Sequence, residues 1–260
     1  RIILFVARQE TRDASSYGGF ARDMKRQRRW TSKLVWLVIL LFLTYELWFA
    51  GRVLILRWVE PTSTSFMRAY KKENNKGFSY QWVNYEHISS HVKSAVVASE
   101  DAKFVDHHGF DWGSLRHAAS KNVREGKIVS GGSTITQQLA KNLFLTPSRS
   151  IWRKTQESIV TLMLETALSK QRILEVYLNV IEWGRGVYGI EAAARHYFNL
   201  SAERISEVQA AKLASYIPAP RRYDIIGDTE GSLRKVKIIR GRMSQVKIPN
   251  EQYMNNAVSP

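Results

Sequence analysis

Apolar and polar positions are spread very unevenly along this chain. Leu34 to Gly51 (LVWLVILLFLTYELWFAG) runs for 18 residues with a single charge, Glu46, and at ~1.5 Å of rise per residue a helix over it nearly spans a bilayer core. Apolar residues resume at Val53, Leu54, Ile55 and Leu56. The predicted transmembrane helix therefore covers 34–56, with Trp48 and Trp58 as interfacial anchors. Arg22, Lys25, Arg26, Arg28, Arg29 and Lys33 stand just before it, and this basic block predicts that 1–33 stays cytoplasmic while the bulk of the chain lies across the membrane. A cleaved signal peptide and a buried core helix compete with this reading. Neither fits as well, because no small-x-small cleavage pattern closely follows the run and the flanking charge suits a retained anchor.

Residues 57–79 hold Pro61, a Thr/Ser cluster and Lys71, Lys72, Asn74, Asn75, Lys76 and Gly77, the composition of a hydrophilic connector near the outer membrane surface. A domain is predicted over 80–260. Its periodicity is mainly helical: Val92, Val96 and Val97 on one segment, Ile159, Leu162, Met163 and Leu164 on a second, Ile173, Leu174, Tyr177 and Leu178 on a third. Alanine-rich helical runs follow at 192–198 and 208–216, and Pro218 and Pro220 mark a break before a basic helix around Leu233 to Met243. Strand alternation is scarce. The fold class predicted is mainly α, preceded by one transmembrane helix.

Composition narrows the partners. With 260 residues and 44% hydrophobic content, the chain can bury one substantial core beyond its membrane segment. Lys and Arg outnumber Asp and Glu by 39 to 23, a formal +16, which favours an anionic partner: nucleic acid, lipid headgroups or a phosphorylated substrate. The absence of cysteine excludes disulfides, thiolate nucleophiles and Cys-based metal sites.

Candidate chemistry gathers in five clusters. The first, EDAKFVDHHGFDWG, places Glu100 and Asp101 where the helix over 92–99 ends, with Phe104, His107 and Gly109 behind them. The macrodipole favours cations at such an end, so adjacent carboxylates there suit proton transfer, or else a solvated turn capped by Asp106 and Asp111. The second is a glycine pair running into a helix, Gly131 to Asn142. Ser133 or Thr134 can cap it, Ile135, Leu139 and Leu143 share one face, and Thr134, Gln137, Gln138 and Lys141 gather on another. Amides plus one cation suit sugar hydroxyls or a phosphate; an ordinary amphipathic helix is the alternative. In the third, Arg149, Arg153, Lys154 and Glu157 follow a turn. Arg153 and Glu157 have ion-pair spacing, but that does not explain three cations together. The helix beyond them is apolar almost all round through Leu168, which predicts a central position with its polar end bordering a cleft. The fourth and fifth, Lys170 to Asn179 and Arg185 to Phe198, read as mainly architectural, with Asn179, Arg185 and Tyr197 as candidates for substrate contact.

Together these clusters resemble glycosyltransferase family 51, the peptidoglycan transglycosylases, whose motifs E-D-x-x-F-x-x-H-x-G, G-x-S-T-I-T-Q-Q-x-x-K-N, R-K-x-x-E, K-x-x-I-L-x-x-Y-L-N and R-G-x-x-G-x-x-x-A-A-x-x-Y-F occur here in order between Glu100 and Phe198. The resemblance implies a lysozyme-like glycosyltransferase domain on the periplasmic side of a bacterial inner membrane, polymerising lipid II into glycan strands. It implies Glu100 as the base on the acceptor's 4-hydroxyl, which attacks the donor's anomeric carbon and expels the lipid diphosphate with inversion. Lys141, Arg149, Arg153 and Lys154 match diphosphate-holding positions. Ser133, Thr134, Gln137, Gln138 and Asn142 are grouped with substrate binding, and Asp101, Phe104, His107, Asn179 and Arg185 with support. Glu157 is the second acid, assisting the leaving group or a divalent cation. No cofactor is required on this reading, and Mg or Mn at Glu157 is the one metal left open. Expected partners are lipid II, the growing glycan, membrane lipid and cell-wall synthesis or division proteins, with no nucleic acid.

Two departures bear on the branch of that family. Bifunctional members continue into a transpeptidase domain with a Ser-x-x-Lys motif; Ser244 to Lys247 matches the string, but only 13 residues follow, so the monofunctional branch is expected. Glu182-Trp183-Gly184 replaces the Tyr-Phe-Gly common in bifunctional relatives and leaves that loop's shape open. A lytic muramidase-like hydrolase and a non-enzymatic, membrane-tethered basic binding protein are the rival functions. The cationic cluster weighs against the first, since neutral glycan needs no diphosphate cradle.

Overall fold

The computed structural model describes residues 30–127, 131–146 and 150–249. Arg149 and the basic block from Arg22 to Arg29 lie outside the described residues. Two compact units divide at Gly51 and Arg52. Helix α1 (Trp30–Ile55) has 26 residues and a window of mean hydropathy 2.0, long and apolar enough to cross a membrane. It starts slightly ahead of the expected span and leaves Leu34, Trp36, Leu40 and Leu47 exposed, the distribution of a helix whose solvent is lipid.

The second unit opens with a correction. Within the stretch expected to be a hydrophilic connector, helix α2 (Ser65–Asn74) is capped by the buried Thr64, whose side chain accepts from Met67 N, and it buries Met67 and Tyr70. Its lysines are exposed beside a short apolar stripe, so composition read as a linker what spacing makes amphipathic. Strand β1 (Ser79–Tyr80) follows, then helices α3 (Ser90–Glu100), α4 (Trp112–Glu125), α5 (Ile135–Phe144), α6 (Ile151–Ala167) and α7 (Lys170–Val180). Strands β2 (Glu182–Gly184) and β3 (Val187–Tyr188) lead to α8 (Ile190–Phe198), α9 (Glu207–Tyr216), α10 (Pro220–Ile226) and α11 (Glu230–Met243). The mainly α expectation holds. The small sheet, ordered β1-β3-β2, has strands too short to show a period of two.

Helix starts follow the polar residues ahead of them. Ser89, Asp111, Thr134, Ser150, Ser169, Ser206 and Thr229 each accept a backbone N–H of the first turn that follows, a cap worth about 1 kcal/mol. Pro220 opens α10, where its missing N–H costs no bond.

The centre of the core differs from expectation. Helix α6 leaves Ile151, Trp152 and Leu162 exposed and buries a stripe of Gln156, Glu157, Val160, Thr161 and Leu164. It is α7 that is enclosed, with Ile173, Leu174 and every residue from Val176 to Val180 buried. An all-round apolar helix is compatible with burial but does not require it. What encloses α7 is a set of distant partners: Asn179 Oδ1 accepts Val83 N at 2.9 Å and its Nδ2 donates to Val83 O at 2.8 Å, while Tyr85 N donates to Glu175 Oε1 at 2.8 Å.

Gly189 makes this crossing possible. Its φ is +81°, and a Cβ there would lie 2.7 Å from the backbone oxygen of Asn179. We expect Gly189→Ala to destabilise the fold by roughly 3 kcal/mol, and Gly126→Ala, at φ +61° with open space around it, by about 1 kcal/mol. Denaturation midpoints of the detergent-solubilised variants check this, and equal losses would mean that the close approach is not what matters.

Candidate active site

The site is built on the end of α3. Glu100 is its last residue and Asp101 its C-cap. Asp101 is buried and divides its carboxylate between two neighbours: His107 Nε2 lies 2.9 Å from Oδ1, and Ile135 N donates to Oδ2 at 3.0 Å. One side chain thus ties the loop after α3 to the first turn of α5. The loop is pinned further along as well. Phe104 is fully buried under the Lys170 ammonium, 4.5 Å from its ring centre. Gly109, at φ +84°, sits so close to α6 that a Cβ would fall 2.8 Å from Thr161 Cγ2, and its carbonyl accepts Thr134 Oγ1 at 2.7 Å.

Glu100 is half-buried and held at both oxygens. Ser99 Oγ donates to Oε1 at 3.1 Å, and Gln138 Nε2 donates to Oε2 at 3.0 Å. The carboxylate lines a cavity of about 300 Å³ shared with Lys103, His117, Ser133, Thr134 and Arg242. His117 on α4 and Arg242 on α11 belong to none of the five sequence clusters. Arg242 lies in the helix that the sequence marks only as basic, and nothing local singles it out.

The polar face expected on α5 is largely consumed by the fold. Gln137 forms a capping box with Thr134: Gln137 N donates to Thr134 Oγ1 at 3.2 Å, and Thr134 N donates to Gln137 Oε1 at 3.0 Å. Both are buried, so their side chains hold the helix start. Asn142 Nδ2 donates to Gln138 O at 2.8 Å. Gln138 spends its amide on Glu100 and on Tyr177, whose hydroxyl donates to Oε1 at 2.8 Å. Ser133 is exposed at the cavity wall. Lys141 is half-buried, its ammonium 5.6 Å from the Phe66 ring centre.

At the start of α6, Glu157 is 4% exposed, low enough that its charge must be paired. Arg153 NH1 donates to Oε2 at 2.7 Å, and Lys154 Nζ donates to Oε1. Arg153 Nε is buried with no partner among the described residues. Both Glu157 oxygens are therefore taken by cations, and among the described residues no group of three His, Asp or Glu is placed to hold a metal. The donor set does not fit a divalent cation. The expected contact of Asn179 also changes. Asn179 is fully buried and spent on Val83, while Arg185 is exposed and uses its backbone N–H on Asp224 Oδ2 at 3.1 Å. Tyr197 donates to Trp183 O at 2.9 Å.

Chemically, the arrangement offers a proton acceptor fixed in a cavity wall and, on the first turn of α6, cations fixed by a buried acid. Known proteins resemble the chain in sequence. A family model described as Transglycosylase matches residues 66–244. The chain is 52% identical over 231 residues to the biosynthetic peptidoglycan transglycosylase of Dechloromonas aromatica, covering 87% of this chain and 100% of that protein. It is 50% identical over 226 residues to the protein of the same name from Laribacter hongkongensis, covering 85% and 99%. Matched from α2 through the last turn of α11, and along nearly the whole length of both relatives, the chain belongs to the transglycosylase family.

Proposed function

We propose that this transglycosylase polymerises lipid II into glycan strands by inverting transfer. The acceptor's 4-hydroxyl gives its proton to Glu100 as its oxygen bonds to the donor's anomeric carbon, and the bond from that carbon to the lipid diphosphate breaks on the opposite face. The observation that carries this reading is the Glu100 carboxylate, held at both oxygens in the wall of a cavity. A base so fixed meets an incoming hydroxyl without reorganising.

The departing diphosphate gains charge as it leaves and needs fixed cations. Lys141, Arg153 and Lys154 fill that role, joined by Arg149 on the sequence motif. The double pairing of Glu157 with Arg153 and Lys154 supports a positioning role for this acid, since it orders two long side chains ahead of the substrate. Helix α1 anchors the chain, with the basic block before it on the cytoplasmic side and the catalytic domain on the periplasmic side, where lipid II and the growing glycan are met. The length and hydropathy of α1 support the anchor, and the basic block supports its direction.

Glu100→Gln is expected to lower lipid II polymerisation at least ~100-fold while leaving lipid II binding largely intact, measured by gel separation of labelled glycan strands and by binding to detergent-solubilised protein. Near-normal turnover would remove the base, and cleavage of purified strands without polymerisation would favour the muramidase-like alternative. Arg153→Ala is expected to reduce kcat by roughly 100-fold. A loss under threefold would take the guanidinium out of the leaving-group site.

A further inference from the structure

We infer that Tyr177 is a positioning residue for the transfer reaction: its hydroxyl tethers the Gln138 amide from the protein interior, and the amide in turn fixes the Glu100 carboxylate. The inference rests on the reading of Glu100 as the base.

Position and spacing make Tyr177 look like core packing. It sits on the enclosed helix α7 and is 0% exposed. Packing alone would be served by phenylalanine, because a hydroxyl taken fully out of water must find a partner or cost free energy. The partner is Gln138 Oε1, at 2.8 Å. Burial, with further contributions from the Glu100 and Asp101 carboxylates, pushes the Tyr177 phenol well above its ordinary value. It therefore keeps its proton and donates.

Two partners hold the Gln138 amide. A glutamine amide has an acceptor and a donor end of nearly equal shape, and Gln138 is only half-buried. With Oε1 occupied by the phenol, Nε2 is turned to Glu100 Oε2, 3.0 Å away. The reversed amide would set its oxygen against the acceptor-only carboxylate and lose that bond, whereas the phenol oxygen can accept an N–H as well as donate, so it is Glu100 that sets which way round the amide lies. Glu100 alone cannot keep the side chain from swinging aside. Tyr177 grips it from the protein interior, so the chain of bonds runs from α7 through α5 to the end of α3.

The test is a double-mutant cycle on the full-length protein. Tyr177→Phe is expected to lower kcat on the order of tenfold, with KM for lipid II changed less than twofold. In a Gln138→Ala background the same substitution is expected to change kcat less than twofold, because its path to Glu100 is gone. A Tyr177→Phe enzyme with wild-type kcat, or losses that multiply independently, would overturn the inference. If Tyr177→Phe does not fold, Gln138→Met, which removes both bonds and leaves Tyr177 in place, must show the kcat loss at unchanged KM, and a wild-type kcat there overturns it equally. Glu100→Gln assayed alongside separates the two readings. An inactive Glu100→Gln with an unaffected Tyr177→Phe refutes only the positioning role, whereas an active Glu100→Gln refutes the base itself.

Discussion

The buried carboxylate of Asp101 is the interaction on which the site's geometry depends. It joins three things that chain connectivity leaves apart: the end of α3, the loop carrying His107 and the first turn of α5. Hydrogen bonds to a charged group contribute about 1.5–3 kcal/mol each, and a buried carboxylate without them would be strongly unfavourable. Asp101 therefore cannot drift without breaking both. Glu100, its neighbour in sequence, inherits that rigidity through the backbone. The two adjacent acids divide their work, one spent on structure and the other left facing a cavity.

The staple is extended by a second buried polar group. Glu165 Oε1 accepts Thr136 Oγ1 at 2.5 Å and Lys170 Nζ at 2.8 Å, and the Lys170 ammonium then covers Phe104. The first turn of α5, the far end of α6 and the start of α7 thus meet under the loop after α3. Gly109 belongs to the same arrangement, because its missing side chain lets the loop lie against Thr161 and Glu165. A buried network of this kind specifies one arrangement rather than several, since breaking it leaves a charge unpaired in low dielectric.

What the sequence revealed was the chemistry that is local along the chain. Glu100 with Asp101, Arg153 with Lys154 and Glu157, and the cap at Thr134 are each read within a few residues, because helix periodicity and capping rules act over that range. What stayed hidden depends on pairs far apart. Gln137 and Gln138 looked alike, and only the fold shows one closing a capping box and the other bridging Tyr177 to Glu100. Asn179 read as a candidate for substrate because no local pattern could show that Val83 consumes its amide. Arg242 was invisible for the converse reason: a basic surface helix is ordinary until α11 packs against α3 and brings one of its cations to the cavity. Helices α6 and α7 exchanged roles because apolar composition records that a helix can be buried, while enclosure is decided by what the rest of the chain lays over it.

Both halves of the proposed chemistry stand where helix electrostatics opposes them. Glu100 lies at the C-terminal end of α3, where the dipole is negative, and Arg153 and Lys154 lie in the first turn of α6, where it is positive. Each placement costs about 0.3–1 kcal/mol near a surface, and a sequence chosen for helix stability would reverse the signs. The groups stay because other contacts offset the cost: Ser99 and Gln138 for the acid, Glu157 for the cations. Local rules broken with compensation at hand mark functional positions rather than accidents. The opposition also has a use. Cations at a positive end add their charge to that of the backbone N–H groups beside them. The field on each side is thus directed toward the charge that would develop there during transfer: a proton arriving at Glu100, and negative charge growing beside Arg153 and Lys154.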